Sequence, residues 1–392
     1  MPNQIAPNVL SWASIVENTA ADQAIALAAL PFVTPHIALM ADVHAGKGSA
    51  VGTVIPTEAA VIPAAVGVDV GCGMCGVRTH YTADDLKRID LTELRDQVER
   101  AIPLSPGNYN SKVHHDHTMK RVAGLEHLAE STGVNLFHSP KWREQLGSLG
   151  GGNHFIELCL DEQDRVWCFL HSGSRGVGNK IAQKHIKIAQ SLMQQWHIPL
   201  ADRDHAYLPE GTSEFNQYLT ELSWAQQFAL FNRDEMMDRF VSQLARLMGD
   251  DVEGVEVERV NAHHNYTEKA FINGKRLWLT RKGAIDASEG RMGLIPGSMG
   301  TQSYVVRGKG NTAAFNSAPH GAGRVMSRTQ AKKAFTADDL DKRMEGIVYR
   351  PGKDWVDEIP DAYKPIDLVM DDSTDLVEIV HTLRQVMNVK GQ

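Results

Sequence analysis

Helix-period apolar spacing runs through "SEFNQYLTELSWAQQFALFNRDEMMDRFVSQLARLM", residues 213–248. A helix of that length needs other elements packed along much of its surface, so it constrains the fold more than any other stretch. The same period recurs in "ADQAIALAAL", "DLTELRDQVERAI", "NKIAQKHIKIAQSLMQQW" and the C-terminal "STDLVEIVHTLRQVM", which are expected to be helices. Short β-rich pieces lie between them: "HIALMADV", "AVIPAAVGVDV", "HFIELCL", "RVWCFLHSG", "VEGVEVERV", "RLWLTRKGAI" and "QSYVVRG". They do not alternate regularly with the helices, which favours an α+β architecture over a doubly wound parallel sheet. No repeat, low-complexity linker or boundary interrupts the chain, so residues 1–392 read as a single compact domain.

Composition narrows the function classes. A net charge of -8 and a pI near 6.1 exclude blanket coating of nucleic acid, which needs clustered Lys and Arg, but leave room for a local basic patch. Four cysteines in 392 residues do not make a disulfide scaffold, and "MPNQIAPNVLSWAS" lacks the basic start and apolar stretch of a secretory signal. No apolar segment approaches the roughly 18 residues that a membrane span requires. The expectation is a cytoplasmic protein with reduced thiols and no membrane partner.

"VGVDVGCGMCG", residues 66–76, sets Asp69, Cys72 and Cys75 in a run of valine and glycine. Seventeen histidines accompany it, several beside glycine, asparagine or aspartate: "ADVHAGKG", "LGGGNHF", "LHSGSRG", "NAHHNYTE" and "APHGAGR". Glycine permits close backbone approach, and loops at strand ends commonly carry chemistry. Imidazole, thiolate and carboxylate together suit manganese, zinc or iron, whereas calcium and magnesium want oxygen alone. Asp69 and Cys72, at an expected strand end, could be aimed at one ion by a turn through Gly71, with His154, His171 and His264 completing the shell. A zinc ribbon would need a second paired-cysteine knuckle, which is absent from the chain. A thioredoxin-type pair fits poorly without a leading strand and following helix. Cys159 and Cys168 stand inside apolar strands and read as core. Glycine-rich stretches around Lys47 and Arg175, with "IPGSMG" and "HGAGR", could present N–H groups to phosphate, although none matches a phosphate-loop or dinucleotide fingerprint.

The ordered strings "ADVHAGKGSAVGTVIP", "AAVGVDVGCGM", "LGGGNHFIE", "LHSGSRG", "HHNY", "RKGAI", "IPGSMG", "HGAGRVMSR" and "EIPDAYKPID" resemble the signature motifs of the RtcB family of RNA-splicing ligases. The likeness runs in register from about residue 30 to the C-terminus and is that of a bacterial-type member without an inserted domain. It implies a family-specific α+β fold of central β-sheets flanked by helices. It also implies joining of an RNA 3′-phosphate, or an opened 2′,3′-cyclic phosphate, to a 5′-hydroxyl with GTP at a two-manganese site, in tRNA splicing or RNA repair. An archease-type activator would be a possible partner.

Carried over by the resemblance, Asp69, Cys72, His154, His171 and His264 are metal ligands with Cys72 bridging, and Cys75 is a bystander. His320 is the nucleophile that accepts GMP. The guanine and phosphate contacts are Asn153, Glu157, Asn265, Pro296, Gly297, Ser298, Met299, Ser303, Gly321, Ala322, Gly323 and Lys364. Asp42 and His44 handle the RNA end, and Arg175 and Arg324 hold phosphates. Two departures stand out: Ala41 where the family usually has proline, and Pro319 directly before His320. The rival functions are a metal-dependent phosphoesterase that opens cyclic phosphates without sealing, and a non-catalytic RNA-end binder. A lysine-nucleophile ligase is excluded, because no Lys-x-Asp-Gly string occurs.

Overall fold

The computed structural model describes residues 2–112 and 116–391. Its longest element is the expected helix, Ser213–Met248. The Thr212 hydroxyl accepts from the Phe215 N–H at its start, and Gly249 closes it in the left-handed conformation with φ 81°. At about 1.5 Å per residue it spans some 54 Å. Strands Gly73–Thr82, Arg165–Ser172 and Glu256–His263 cover it, as do helices Leu91–Ala101, Asp116–Thr132 and Arg175–Gln195. Phe215, Leu222, Phe228, Met236, Phe240 and Leu244 are all buried along its length. Asn232 and Arg233 break the apolar rows, each wholly buried, at the level of the site described below.

Two sheets frame the rest. In one the order is Asn3–Ala6, Val9–Ser11, Ile37–His44, Val51–Thr57, Lys275–Lys282 and Asn265–Ile272, with one parallel pair, Val9–Ser11 on Ile37–His44. The other runs Glu256–His263, Gly73–Thr82, Arg165–Ser172, Phe155–Leu160, Val377–Lys390, Ser303–Gly308 and Met292–Ile295, antiparallel throughout. Helices and mostly antiparallel sheets agree with the α+β expectation.

Two local expectations are corrected. The C-terminal "STDLVEIVHTLRQVM" is a strand, Val377–Lys390, not a helix. Its β-branched residues Val377, Ile379, Val380, Thr382 and Val386 suit a pleated ladder, and register shifts at Gln385/Met387 and opposite Val305/Val306 break the two-residue alternation into apparent helix spacing. In "AVIPAAVGVDV" only Ala60–Val61 is strand; Pro63 opens a short helix, Pro63–Val66, where its missing N–H costs nothing. Asp69 and Cys72 therefore lie in a turn that precedes the strand Gly73–Thr82 rather than at a strand end. Cys159 and Cys168 are buried in apolar clusters, as expected, and Cys75 is buried in one too.

Candidate functional site

Four adjacent strands of the larger sheet deliver four of the site's side chains to one end. Register pairs Gly73 with both His263 and Ser172, and His171 with Phe155. Cys72 precedes Gly73, His171 precedes Ser172, His264 follows His263 and His154 precedes Phe155, so antiparallel pairing makes them neighbours. Asp69 joins them through the turn at Gly71, whose φ of 69° is glycine territory. Gly173 keeps the other side open: a Cβ there would stand 2.1 Å from Asp69 Oδ1.

The donor atoms converge closely. Cys72 Sγ lies 3.1 Å from His171 Nε2 and 3.5 Å from His154 Nε2. His171 Nε2 is 3.1 Å from His264 Nε2, and His154 Nε2 is 3.0 Å from Asp69 Oδ2. His171 Nδ1 donates to the Asn153 carbonyl at 3.1 Å, which leaves its Nε2 as a lone pair facing Cys72 and His264. His154 Nδ1 donates likewise to the Leu149 carbonyl at 3.0 Å. Burial drives the His171 and His264 imidazoles well below their ordinary range, so both are neutral and have lone pairs to offer. Burial opposes ionisation of Asp69, but the His154 contact, with Arg175 nearby, holds its pKa at about 2. Burial raises the Cys72 thiol, and Arg233 works against that rise. The Cys72, His154 and His171 donor atoms lie within 4.8 Å of one another and could hold a borderline divalent ion, with Asp69 3.0 Å from His154 and His264 3.1 Å from His171 on either side.

Helix Ser213–Met248 braces this cluster from behind. Arg233 donates to the carbonyls of Gly71 at 2.7 Å and Ser172 at 3.2 Å, and to Asn261 Oδ1 at 2.7 Å. Asn232 accepts from the Gly147 and Ser148 N–H groups and donates to the Gly173 carbonyl. Two neighbouring side chains thus tie together the segments bearing Cys72, His154 and His171.

The cluster opens into a cavity of about 310 Å³ lined from both sheets, including His44, Val51 and Lys282 from one and Met74, Phe155 and Glu157 from the other. His320 stands over it, its ring stacked on His264 at 4.4 Å between centroids. Asp42 is wholly buried, and its Oδ2 accepts from the His320 and Gly321 N–H groups at 3.1 and 3.2 Å. His320 Nδ1 lies 2.6 Å from the same oxygen, off the hydrogen-bond direction. Pro319 therefore withholds no N–H that Asp42 uses. His44 Nδ1 donates to the Asp42 carbonyl at 2.9 Å, and burial lowers its pKa to about 4.

At the far end lies Glu157, bound by Asn388 Nδ2 at 2.8 Å; burial pushes its pKa up to about 8, with Lys390 pulling the other way. Asn153, Asn265, Pro296, Gly297, Ser298, Met299, Gly321, Ala322, Gly323 and Arg324 also line the cavity. Other sequence-predicted residues sit elsewhere. Ser303 is buried outside the lining, its Oγ accepting from the Gly297 N–H at 3.3 Å. Arg175 lies behind His154, 3.2 Å from Nδ1. Lys364 does not reach the cavity: its Nζ donates to the carbonyls of Ile15, Ala41 and Val43 at 2.7, 3.0 and 2.7 Å. It supports the strand that carries Asp42 and His44, with Ala41 supplying one acceptor.

The family model described as "tRNA-splicing ligase RtcB" matches residues 23–391. The chain belongs to the RtcB family. It is 46% identical to RNA-splicing ligase RtcB of Escherichia coli strain K12, covering 96% of this chain and 95% of that protein. It is 30% identical to tRNA-splicing ligase RtcB of Pyrobaculum aerophilum, over 89% of this chain and 86% of the other, and 29% identical to the namesake of Thermococcus kodakarensis, over 92% and 86%. Among the described residues, no helix is long and apolar enough to cross a membrane.

This RtcB-family cavity holds residues that sequence reasoning missed. Lys390 lines it and donates to Glu358 Oε2 at 3.0 Å, which also accepts from Tyr363 at 3.0 Å. Arg328 and Lys282 line it too. Lys282, Glu358 and Tyr363 sit within quoted motifs, "RKGAI" and "EIPDAYKPID", where their roles went unread. Lys390 had no motif at all.

Proposed function

We propose that the chain joins an RNA 3′-phosphate, or a 2′,3′-cyclic phosphate opened first, to a 5′-hydroxyl, consuming GTP with two manganese ions. The observation that carries the reading is convergence: the soft donor cluster, His320 and the Glu157 end share one cavity. Asp69, Cys72 and His154 would hold one ion and Cys72, His171 and His264 the other, and the bound ions would neutralise phosphate oxygens during transfer.

His320 turns Nδ1 toward Asp42, so Nε2 is the nitrogen left to attack the α-phosphorus of GTP. A P–N bond forms as the bond to pyrophosphate breaks. An oxygen of the RNA 3′-phosphate then displaces His320 from that phosphorus and leaves a guanylylated RNA end. The 5′-hydroxyl attacks the RNA phosphorus, GMP departs and the strand is sealed. Glu157 suits guanine, whose N1–H and exocyclic amine are both donors, and this would favour GTP over ATP.

The test is incubation of a strand ending in a 2′,3′-cyclic phosphate, and separately one ending in a 3′-phosphate, with a 5′-hydroxyl strand and Mn²⁺, with and without GTP. Sealed product only with GTP is expected. Opening of a cyclic phosphate without any joined product would replace this reading with the phosphoesterase.

A further inference from the structure

A second cavity, of about 510 Å³, backs onto the first, and the two share Asp69, Asn265 and Lys282 as a common wall. One face of helix Arg175–Gln195 forms a side of it: Gln183, Lys187 and Gln190 recur at helical spacing and all line the space. Lys47 and Arg203 complete its polar rim, and Val68 and Ile186 give it an apolar floor.

The charges are unusual for a chain of net charge -8. Lys47, Lys187 and Arg203 are exposed, and none of the three forms an ion pair among the described residues. The groove's negative groups are Asp69, already engaged with His154, and Asp204, which accepts from Gln190 Nε2 at 3.2 Å. Lys282 fastens the Lys47 loop to the shared wall, donating to the Lys47 carbonyl and to that of Ser49 at 2.7 Å.

We propose that this second cavity is the groove that holds the backbone of an unpaired RNA strand leading into the reaction site. Lys47, Lys187 and Arg203 meet successive phosphates, the Gln183 and Gln190 amides face ribose hydroxyls or base edges, and the apolar floor takes a splayed base. An unpaired strand fits because base edges and faces reach such a floor only outside a duplex. The inference rests on the RNA-joining reading and adds where the substrate lies.

The experiment uses the full chain carrying Lys187→Glu and Arg203→Glu together. Both side chains are exposed and outside the catalytic cavity, so guanylylation from GTP in the absence of RNA is expected to match the parent. Binding of a fluorescent 3′-phosphate oligoribonucleotide is expected to weaken about ten-fold near physiological salt, and the slope of log K against log salt to fall by about 1.4, at ~0.7 per phosphate contact on a single strand. A 3′-mononucleotide, too short to reach the groove, is expected to bind both proteins alike. Unchanged oligonucleotide affinity and slope in the double variant would overturn the groove. Equal weakening for the mononucleotide would also overturn it, since the effect would then be a general loss of anion attraction. RNA binding that weakens as expected in a protein showing no guanylylation at all would leave the groove standing and remove the ligation reading instead.

Discussion

Replacing Arg233 by Met tests how the geometry of the Cys72 cluster is held. Its side chain is wholly buried in helix Ser213–Met248 and reaches Gly71 O, Ser172 O and Asn261 Oδ1, with His263 Nδ1 3.1 Å from its Nη2. Methionine roughly keeps the apolar stem; Gly71 O keeps the His263 Nδ1–H at 2.8 Å, so Ser172 O and Asn261 Oδ1 are the two acceptors stranded. At about 1–1.5 kcal/mol for each buried group left unpaired, the loss comes to roughly 2–3 kcal/mol. Relief of the desolvation cost of the guanidinium offsets part of it, so ~2 kcal/mol is the expected figure from urea unfolding. Because two of those carbonyls flank Cys72 and His171, divalent-metal affinity is expected to drop about 10- to 100-fold, as for lost supports of metal ligands elsewhere. Lys at 233, which restores part of the donor set, should lie between. The paired readouts are urea midpoints and Co²⁺ titration followed by its ligand-field spectrum. Full stability with unaltered metal affinity in Arg233→Met would refute the bracing argument.

Cys72→Ala should abolish guanylylation, whereas Cys75→Ala, in the apolar cluster behind, should leave it nearly intact; equal loss on a labelled gel would mean the two thiols have been misassigned. Glu157 is largely protonated below about pH 8, where it can accept fewer guanine donors, so GTP affinity should rise as pH climbs through that range. Glu157→Gln should flatten this profile and, above about pH 8 where the carboxylate is charged, raise KM for GTP about 10- to 100-fold, from the ~1.5–3 kcal/mol of a hydrogen bond to a charged group. Lys364→Met should lower stability by about 2–4 kcal/mol through three stranded carbonyls and keep the GTP-over-ATP preference, while Lys390→Met should erode that preference. Thermal unfolding and nucleotide competition separate the two lysines, and the reverse pattern would restore Lys364 to the nucleotide site.

The cluster side of the site was legible because its residues are local to recognisable strings: Cys72, His154 and His264 each adjoin a strand end next to glycine or asparagine, and His171 is the penultimate residue of a strand that runs into Gly173. Their common location follows from strand order, which periodicity does not encode. The Glu157 side was harder. Reading the C-terminal segment as a helix hid the pairing that sets Asn388 opposite Glu157 and Lys390 opposite Phe155, and so hid Lys390 itself. A lysine inside a quoted motif, Lys364, was preferred, although three backbone carbonyls already occupy it. The long helix was plain from its apolar rows, but nothing in them singles out the buried polar pair Asn232–Arg233, because burial at that level depends on strands far away in sequence.

The central claim is that His320 carries the guanylate. Incubation with α-labelled GTP and Mn²⁺, denaturation and peptide mapping should place an acid-labile label on the peptide containing His320, absent from His320→Ala and chased off by RNA with a 3′-phosphate. Label that persists in His320→Ala, or a sealing reaction that proceeds without any covalent guanylate, would contradict the account.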